Sequence, residues 1–226
     1  MKHFNFFKLA LGGLAGLLIT GCAKIENSDP VPISNLAVYH TSPDAPKVGF
    51  RLNTSILNVD SAAYGTYGYY LNASPGTRDL AVYQGSVKKI NAAINLNNGA
   101  IYSAYLTGSW ANPELVVLED SLTNPASGKA NIRFVNMSVG APSLDLATNT
   151  GTVLVSGREY KKNSKFTGID GNQSYNFTIR VHGTTVDKVL LPSVVIQSGR
   201  IYTIVAKGFY TGTGTAGLSG DVLTNY

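Results

Sequence analysis

Apolar residues recur at every second position in short runs along the chain. Leu36 and Val38 lead to His40, Val48 and Phe50 to Leu52, Leu80 to Val82, and Ile94 to Leu96. A period of two is the signature of strands that bury one face. Turn-forming clusters separate the runs: Ser42-Pro43-Asp44-Ala45-Pro46, Ser74-Pro75-Gly76, Asn97-Asn98-Gly99 and Asn112-Pro113. Further on, Phe177, Ile179 and Val181 alternate in the same way, and Gln197-Ser198-Gly199 makes another turn. Helical periodicity is absent after residue 34, so the pattern predicts an all-β chain.

The pattern also repeats. Leu36, Val38, Val48 and Phe50 align without a gap on Ile132, Phe134, Leu144 and Leu146, and Ser42, Ala45 and Pro46 on Ser138, Ala141 and Pro142. Gly99, Ile101, Tyr102 and Gly108 recur as Gly199, Ile201, Tyr202 and Gly208, and Asp120 to Asn124 as Asp221 to Asn225. Self-similarity at a nearly constant offset marks a duplicated unit. It predicts two domains, 35–125 and 129–226, joined by a connection short enough to fix their geometry. Roughly seven strands in ~100 residues fit two tandem immunoglobulin-like β-sandwiches, without the Cys and Trp hallmarks of antibody domains.

The stretch from His40 through Ser42-Pro43-Asp44-Ala45-Pro46 to Val48, with Leu118-Glu119-Asp120 leading to Gly128-Lys129-Ala130 and Arg133-Phe134-Val135-Asn136, resembles a bacterial family called domain of unknown function 4397. The resemblance covers both units, although the second has Gly140 where the first has Asp44. It implies an extracytoplasmic β-sandwich, often lipid-anchored, and no particular activity.

Residues 1–21 read as a cleaved signal peptide. Lys2 and Lys8 flank the start of an apolar run from Leu9 to Ile19, whose 11 residues fall within the ~7–15 of a signal core. That is shorter than the ~20 a spanning helix needs. Ile19-Thr20-Gly21-Cys22 resembles the lipobox of bacterial lipoproteins, which predicts a lipidated Cys22, a flexible tether over 22–34 and attachment to a membrane. Ala23 after the Cys resembles outer-membrane sorting. The expected location is thus the cell envelope, on the periplasmic or the surface side of the outer membrane.

Composition narrows the chemistry. The 226 residues carry one Cys and three His, which excludes a disulfide framework and a Cys-ligated zinc site. The formal net charge of +5 includes Lys2 and Lys8; the mature chain has 16 basic against 13 acidic residues. Nucleic-acid binding loses its support with them, and no cofactor or metal is expected. The second unit is basic, with Arg158, Lys161, Lys162 and Lys165 in one connection, a candidate patch for polyanions or anionic membrane.

His40, Ser42 and Asp44 are the right residue types for a hydrolytic triad. Leaving a strand into a Pro-flanked turn, they diverge, and their counterparts are Asn136, Ser138 and Gly140. They are expected to bond a strand end and a turn instead. Asp170-Gly171-Asn172 reads as a hairpin turn rather than a calcium loop. Asp44 with Asp60, or Asp79 with Glu114, are the remaining carboxylate pairs for a remote hydrolase alternative. The candidate ligand contacts are aromatic: Tyr64, Tyr67, Tyr69, Tyr70 and Trp110, whose flat faces suit sugars or protein partners. Ser61 and Ser121, each after an Asp, resemble bacterial O-glycosylation sites. The expectation is a non-enzymatic, envelope-anchored binding or adhesion module for glycans or partner proteins. The alternative is a structural component of a surface assembly that pairs through strand edges.

Overall fold

The computed structural model describes residues 31–225, except the side chains of 58–60. Cys22 and the signal-peptide reading lie outside the described residues. Among the described residues there is no α-helix, only the 3-10 turn Gly214–Ala216, and no helix able to cross a membrane. The remainder is strand and connection, as the period-two pattern predicts.

The first half holds eight strands: β1 Ser34–His40, β2 Val48–Leu52, β3 Ser55–Ala62, β4 Leu71–Ala73, β5 Gly76–Gln84, β6 Val87–Leu96, β7 Ile101–Gly108 and β8 Pro113–Glu119. The second holds β9 Lys129–Asn136, β10 Leu144–Thr148, β11 Val153–Arg158, β12 Lys162–Asn163, β13 Thr167–Asp170, β14 Gln173–Val181, β15 Asp187–Ile196, β16 Ile201–Lys207 and β17 Ser219–Thr224. The first half forms sheets β4-β1-β7-β8 and β3-β2-β5-β6. The second forms β12-β9-β16-β17, with β13 also on β9, and β11-β10-β14-β15. With β13 in the place of β4, and β12 in the place of the isolated Tyr39–Tyr67 bridge, the orders coincide. The architecture is a two-sheet sandwich in each half, but in an antibody domain the first strand pairs with the second. Here it runs parallel to the last strand but one, as β1 on β7 and β9 on β16.

Each sandwich closes on its own core. Leu36, Phe50, Leu80, Val82 and Leu106 fill the first; Ile132, Phe134, Leu146, Phe177 and Ile204 fill the second. Equivalent residues hold equivalent bonds. Ser42 donates to the Gly108 carbonyl and Ser138 to that of Gly208. The Tyr102 hydroxyl accepts from the amide of Asn97, and that of Tyr202 from Gln197.

A third apolar cluster joins the halves: Tyr39, Tyr105, Val135, Met137, Val205 and Leu223. Tyr39 and Tyr105 are neighbours across β1 and β7, and Val135 and Val205 across β9 and β16, at equivalent positions. The two inner sheets therefore meet through the same face. Leu36 and Val38 point into the first core, while Tyr39 on the opposite side of β1 enters the junction. Burial of each such side chain contributes about 1.5–3 kcal/mol.

Asp170-Gly171-Asn172 is not a hairpin turn. β13 pairs with β9 and β14 lies in the other sheet, so the segment carries the chain from one sheet to its partner. A short turn signal specifies a reversal but not which sheet the next strand joins.

Candidate functional site

Polar groups on the inner sheets meet beside the apolar junction. Asp120, just past β8, accepts from the Ser103 hydroxyl at 2.5 Å and the Tyr70 hydroxyl at 2.7 Å. Its other oxygen lies 2.6 Å from Arg133 of β9, and neither side chain is more than 1% exposed. Arg133 Nε donates to the Thr203 hydroxyl at 2.9 Å, Thr203 to Asn225 Oδ1 at 2.6 Å, and Asn225 Nδ2 to Tyr70 at 2.7 Å. The ring closes across the two halves. Burial works against the Arg133 charge, but the neighbouring tyrosine oxygens and Asp120 outweigh it and hold the guanidinium above its ordinary range.

Over this network lies a recess of about 470 Å³. Glu119, Ser121 and Thr123 of the connection line one side, Asn163, Ser164 and Lys165 the other, and Arg133 with Phe166 form the floor. The Arg133 guanidinium sits 4.8 Å from the centre of the Phe166 ring. The wall is polar and drawn from both halves, which suits hydrogen-bonding recognition.

A second set of junction contacts is matched between the halves. Tyr160 donates to Glu114 at 3.1 Å and sits 3.2 Å from Thr107. Its counterpart Tyr64 lies beneath Lys207, 4.2 Å from the ring centre, and Lys207 is the counterpart of Thr107. Burial, and after it the Glu114 carboxylate, outweigh the lowering contact with Thr107 and leave the Tyr160 hydroxyl pushed up to about 12. Asp221 accepts from Tyr39 and lies 3.5 Å from Lys207. Burial lifts its carboxyl to about 6 and lowers Lys207.

These contacts place the aromatic candidates. Tyr64, Tyr67 and Tyr70 belong to the junction, with Tyr67 edge-on to Tyr39 at 5.8 Å. Tyr69 alone of the cluster is freely presented, at 86% exposure. Trp110 packs half-buried on the first core, with Lys89 4.9 Å from its ring centre. In the basic connection, Lys161 is paired with Glu114 and Arg158 folds onto the Ser156 carbonyl, while Lys162 and Lys165 are exposed. Ser61 and Ser121 are exposed, whereas Asp120 before Ser121 is buried.

The residues with catalytic potential have structural partners. His40 Nε2 bonds the Pro46 carbonyl at 3.1 Å, and burial lowers its pKa. Asp44 accepts from the Trp110 amide at 2.7 Å rather than from its own turn. Asp79 accepts from Asn91 and Glu114 pairs with Lys161. Ser156, His182 and Asp145 also cluster, but serine and carboxylate both approach the same nitrogen, Nδ1, at 3.3 and 2.9 Å. A relay needs the two on opposite nitrogens. Burial acts to raise Asp145, but the Gly157 amide and His182 outweigh it and keep it below the carboxylate range.

Arg133, Thr203 and Asn225 were not among the sequence candidates. The available signal was the repeated segment ending each half, Asp120 to Asn124 and Asp221 to Asn225, whose Asp and Asn supply junction groups.

Fold and site together define a tandem β-sandwich protein with a welded junction. The chain belongs to the family described as domain of unknown function (DUF4397), whose model matches residues 34–147. That match takes in the whole first half and ends within β10. No curated protein matches the chain.

Proposed function

We propose that the chain is a non-enzymatic lipoprotein, anchored in the outer membrane through Cys22, that acts as a binding or adhesion module for glycans or partner proteins. Its second half is a further copy of the family domain, as the coincident strand orders suggest. The observation that carries the binding role is the junction recess: polar, rigidly backed and lined by both halves. A module of this kind needs a surface held in fixed geometry more than it needs a reactive group.

The structural-assembly alternative has less support at β15. Leu190 and Val195 are exposed there, but Pro192 falls where the pairing with β14 shifts register, and Ser193 takes a φ of 53°. Proline and a local distortion blunt a sheet edge against further pairing.

The test uses the chain from residue 23 onward on a glycan array and in a pull-down from its own envelope. Retention of a glycan or a defined envelope protein, weakened by Lys165→Glu or Thr123→Val, is expected. Absence of any ligand in both assays would end this reading. Release of the Cys22→Ser protein from the membrane fraction, with loss of palmitate labelling, tests the anchor separately.

A further inference from the structure

The second half has a groove that shares no lining residue with the junction recess. It opens between the β10–β11 turn, β13 and the start of β14, with a volume of about 500 Å³. Small-molecule sites fall in the range of about 300–1,000 Å³. Its floor includes Tyr175, whose ring is stacked on Phe177 with centres 5.3 Å apart and planes 8° from parallel. Phe177 is fully buried, and the Tyr175 hydroxyl donates to the Asp170 carbonyl at 3.0 Å. The ring is thereby fixed at both ends before any ligand arrives.

The rim is polar and uncharged. Asn149, Thr150, Gln173 and Asn176 supply amides and a hydroxyl, and Asn176 is held by the Ser193 amide at 2.7 Å. The only lining residues charged at neutral pH, Lys129 and Asp170, neutralise each other at 2.6 Å. A flat aromatic floor ringed by neutral donors and acceptors matches a sugar, which presents an apolar ring face and a circle of hydroxyls. It does not match an anion, for which an uncompensated cation would be needed.

The first half sharpens the assignment. The equivalent place, between β2–β3, β4 and β5, holds a recess of about 270 Å³. Where the second half has Tyr175, the first has Arg78, two residues before Leu80 as Tyr175 is two before Phe177. The Arg78 guanidinium is tied to the Ser74 and Pro75 carbonyls at 2.9 and 2.5 Å. One frame thus carries a narrow, charged recess in one half and a wider neutral one with an aromatic floor in the other.

We propose that the groove floored by Tyr175 is a binding site for neutral carbohydrate, with the ring as stacking platform and Asn149, Thr150, Gln173 and Asn176 as hydroxyl partners. This deepens the binding-module reading and rests on it, but uses residues that the junction recess does not share.

The experiment is saturation-transfer NMR on the chain from residue 23, which contains the whole compact unit 32–226. The probes are maltohexaose, cellohexaose, mannohexaose and chitohexaose, with heparin as the charged comparator. Transfer to at least one neutral hexamer is expected. It should fall at least tenfold in Tyr175→Ala and in the exposed-site variant Asn149→Ala/Thr150→Val, and survive in Tyr175→Phe. The surface variant keeps the test valid if Tyr175→Ala fails to fold. No transfer to any of the four, or transfer unchanged in the surface variant, would overturn the assignment. If the sugar signal instead disappears with Lys165→Glu or Thr123→Val, this site is wrong while the module reading stands. Silence here and in the array and pull-down removes both.

Discussion

Arg133 and Asp120 come from opposite halves of the molecule, and their charges meet 2.6 Å apart with essentially no access to water. Removing one partner of such a pair strands the other in a poorly polarisable setting, at a cost of about 3–5 kcal/mol. Asp120→Ala should therefore destabilise by about that amount in urea denaturation. Replacing both, as Asp120→Leu with Arg133→Met, should recover a large part of the loss. A single variant within about 1 kcal/mol of the parent would contradict the network's role.

The acidic group opposite Lys207 gives a pH dependence of definite sign. Burial raises Asp221 to about 6, so the folded state binds its proton more tightly than the unfolded chain. Its stabilising share is complete below the unfolded value near 4 and is lost as pH rises through about 6. Thermal melts of Asp221→Asn against the parent should show a difference that shifts in favour of the variant between pH 4 and 7. A pH-independent difference would refute the assignment.

Gly108 ends β7 and Gly208 directly follows β16, at equivalent places, with φ of 78° and 91°. A Cβ at Gly108 would stand 2.4 Å from the Asn112 carbonyl oxygen, and one at Gly208 2.1 Å from that of Gly217. Both neighbours are backbone and cannot swing aside, and positive φ adds strain. Alanine at either position should cost about 3 kcal/mol, measured by chemical denaturation. A neutral outcome would mean that the turns reshape freely.

Charge in the basic connection is unequally available. Lys161 is paired with Glu114, both side chains 39% exposed, so Lys161→Ala should change stability by no more than about 1 kcal/mol. Any retention on heparin at low salt should fall more with Lys162→Glu/Lys165→Glu than with Lys161→Glu. Equal losses would argue against the pairing.

The strands and the strand-end bond of His40 were legible because each rests on local spacing, whereas Asp44 bonds the distant Trp110 amide that its turn sequence does not announce. Nor was the junction legible. Tyr39, Ser103, Tyr105, Arg133 and Thr203 occupy the alternate positions of β1, β7, β9 and β16, which the period-two pattern assigns to solvent. Hydroxyls and a guanidinium are ordinary residues for an exposed sheet face, so nothing in their type marks them as covered. Only the docking of the second sandwich buries them. The Tyr64 to Tyr70 cluster was conspicuous for its density, yet three of its four rings serve the same junction. Tyr175 escaped notice because one tyrosine at a strand start carries no signal until Phe177 and the groove are seen beside it.

The inner sheets meet through equivalent positions, Tyr39 with Tyr105 on one side and Val135 with Val205 on the other, as the subunits of a two-fold dimer do. Here both partners sit on one polypeptide, joined by the nine residues between β8 and β9. A short tether holds its ends at an effective concentration on the order of millimolar. An association too weak to persist between separate molecules at micromolar concentration is therefore largely formed within the chain, whatever the abundance of the protein.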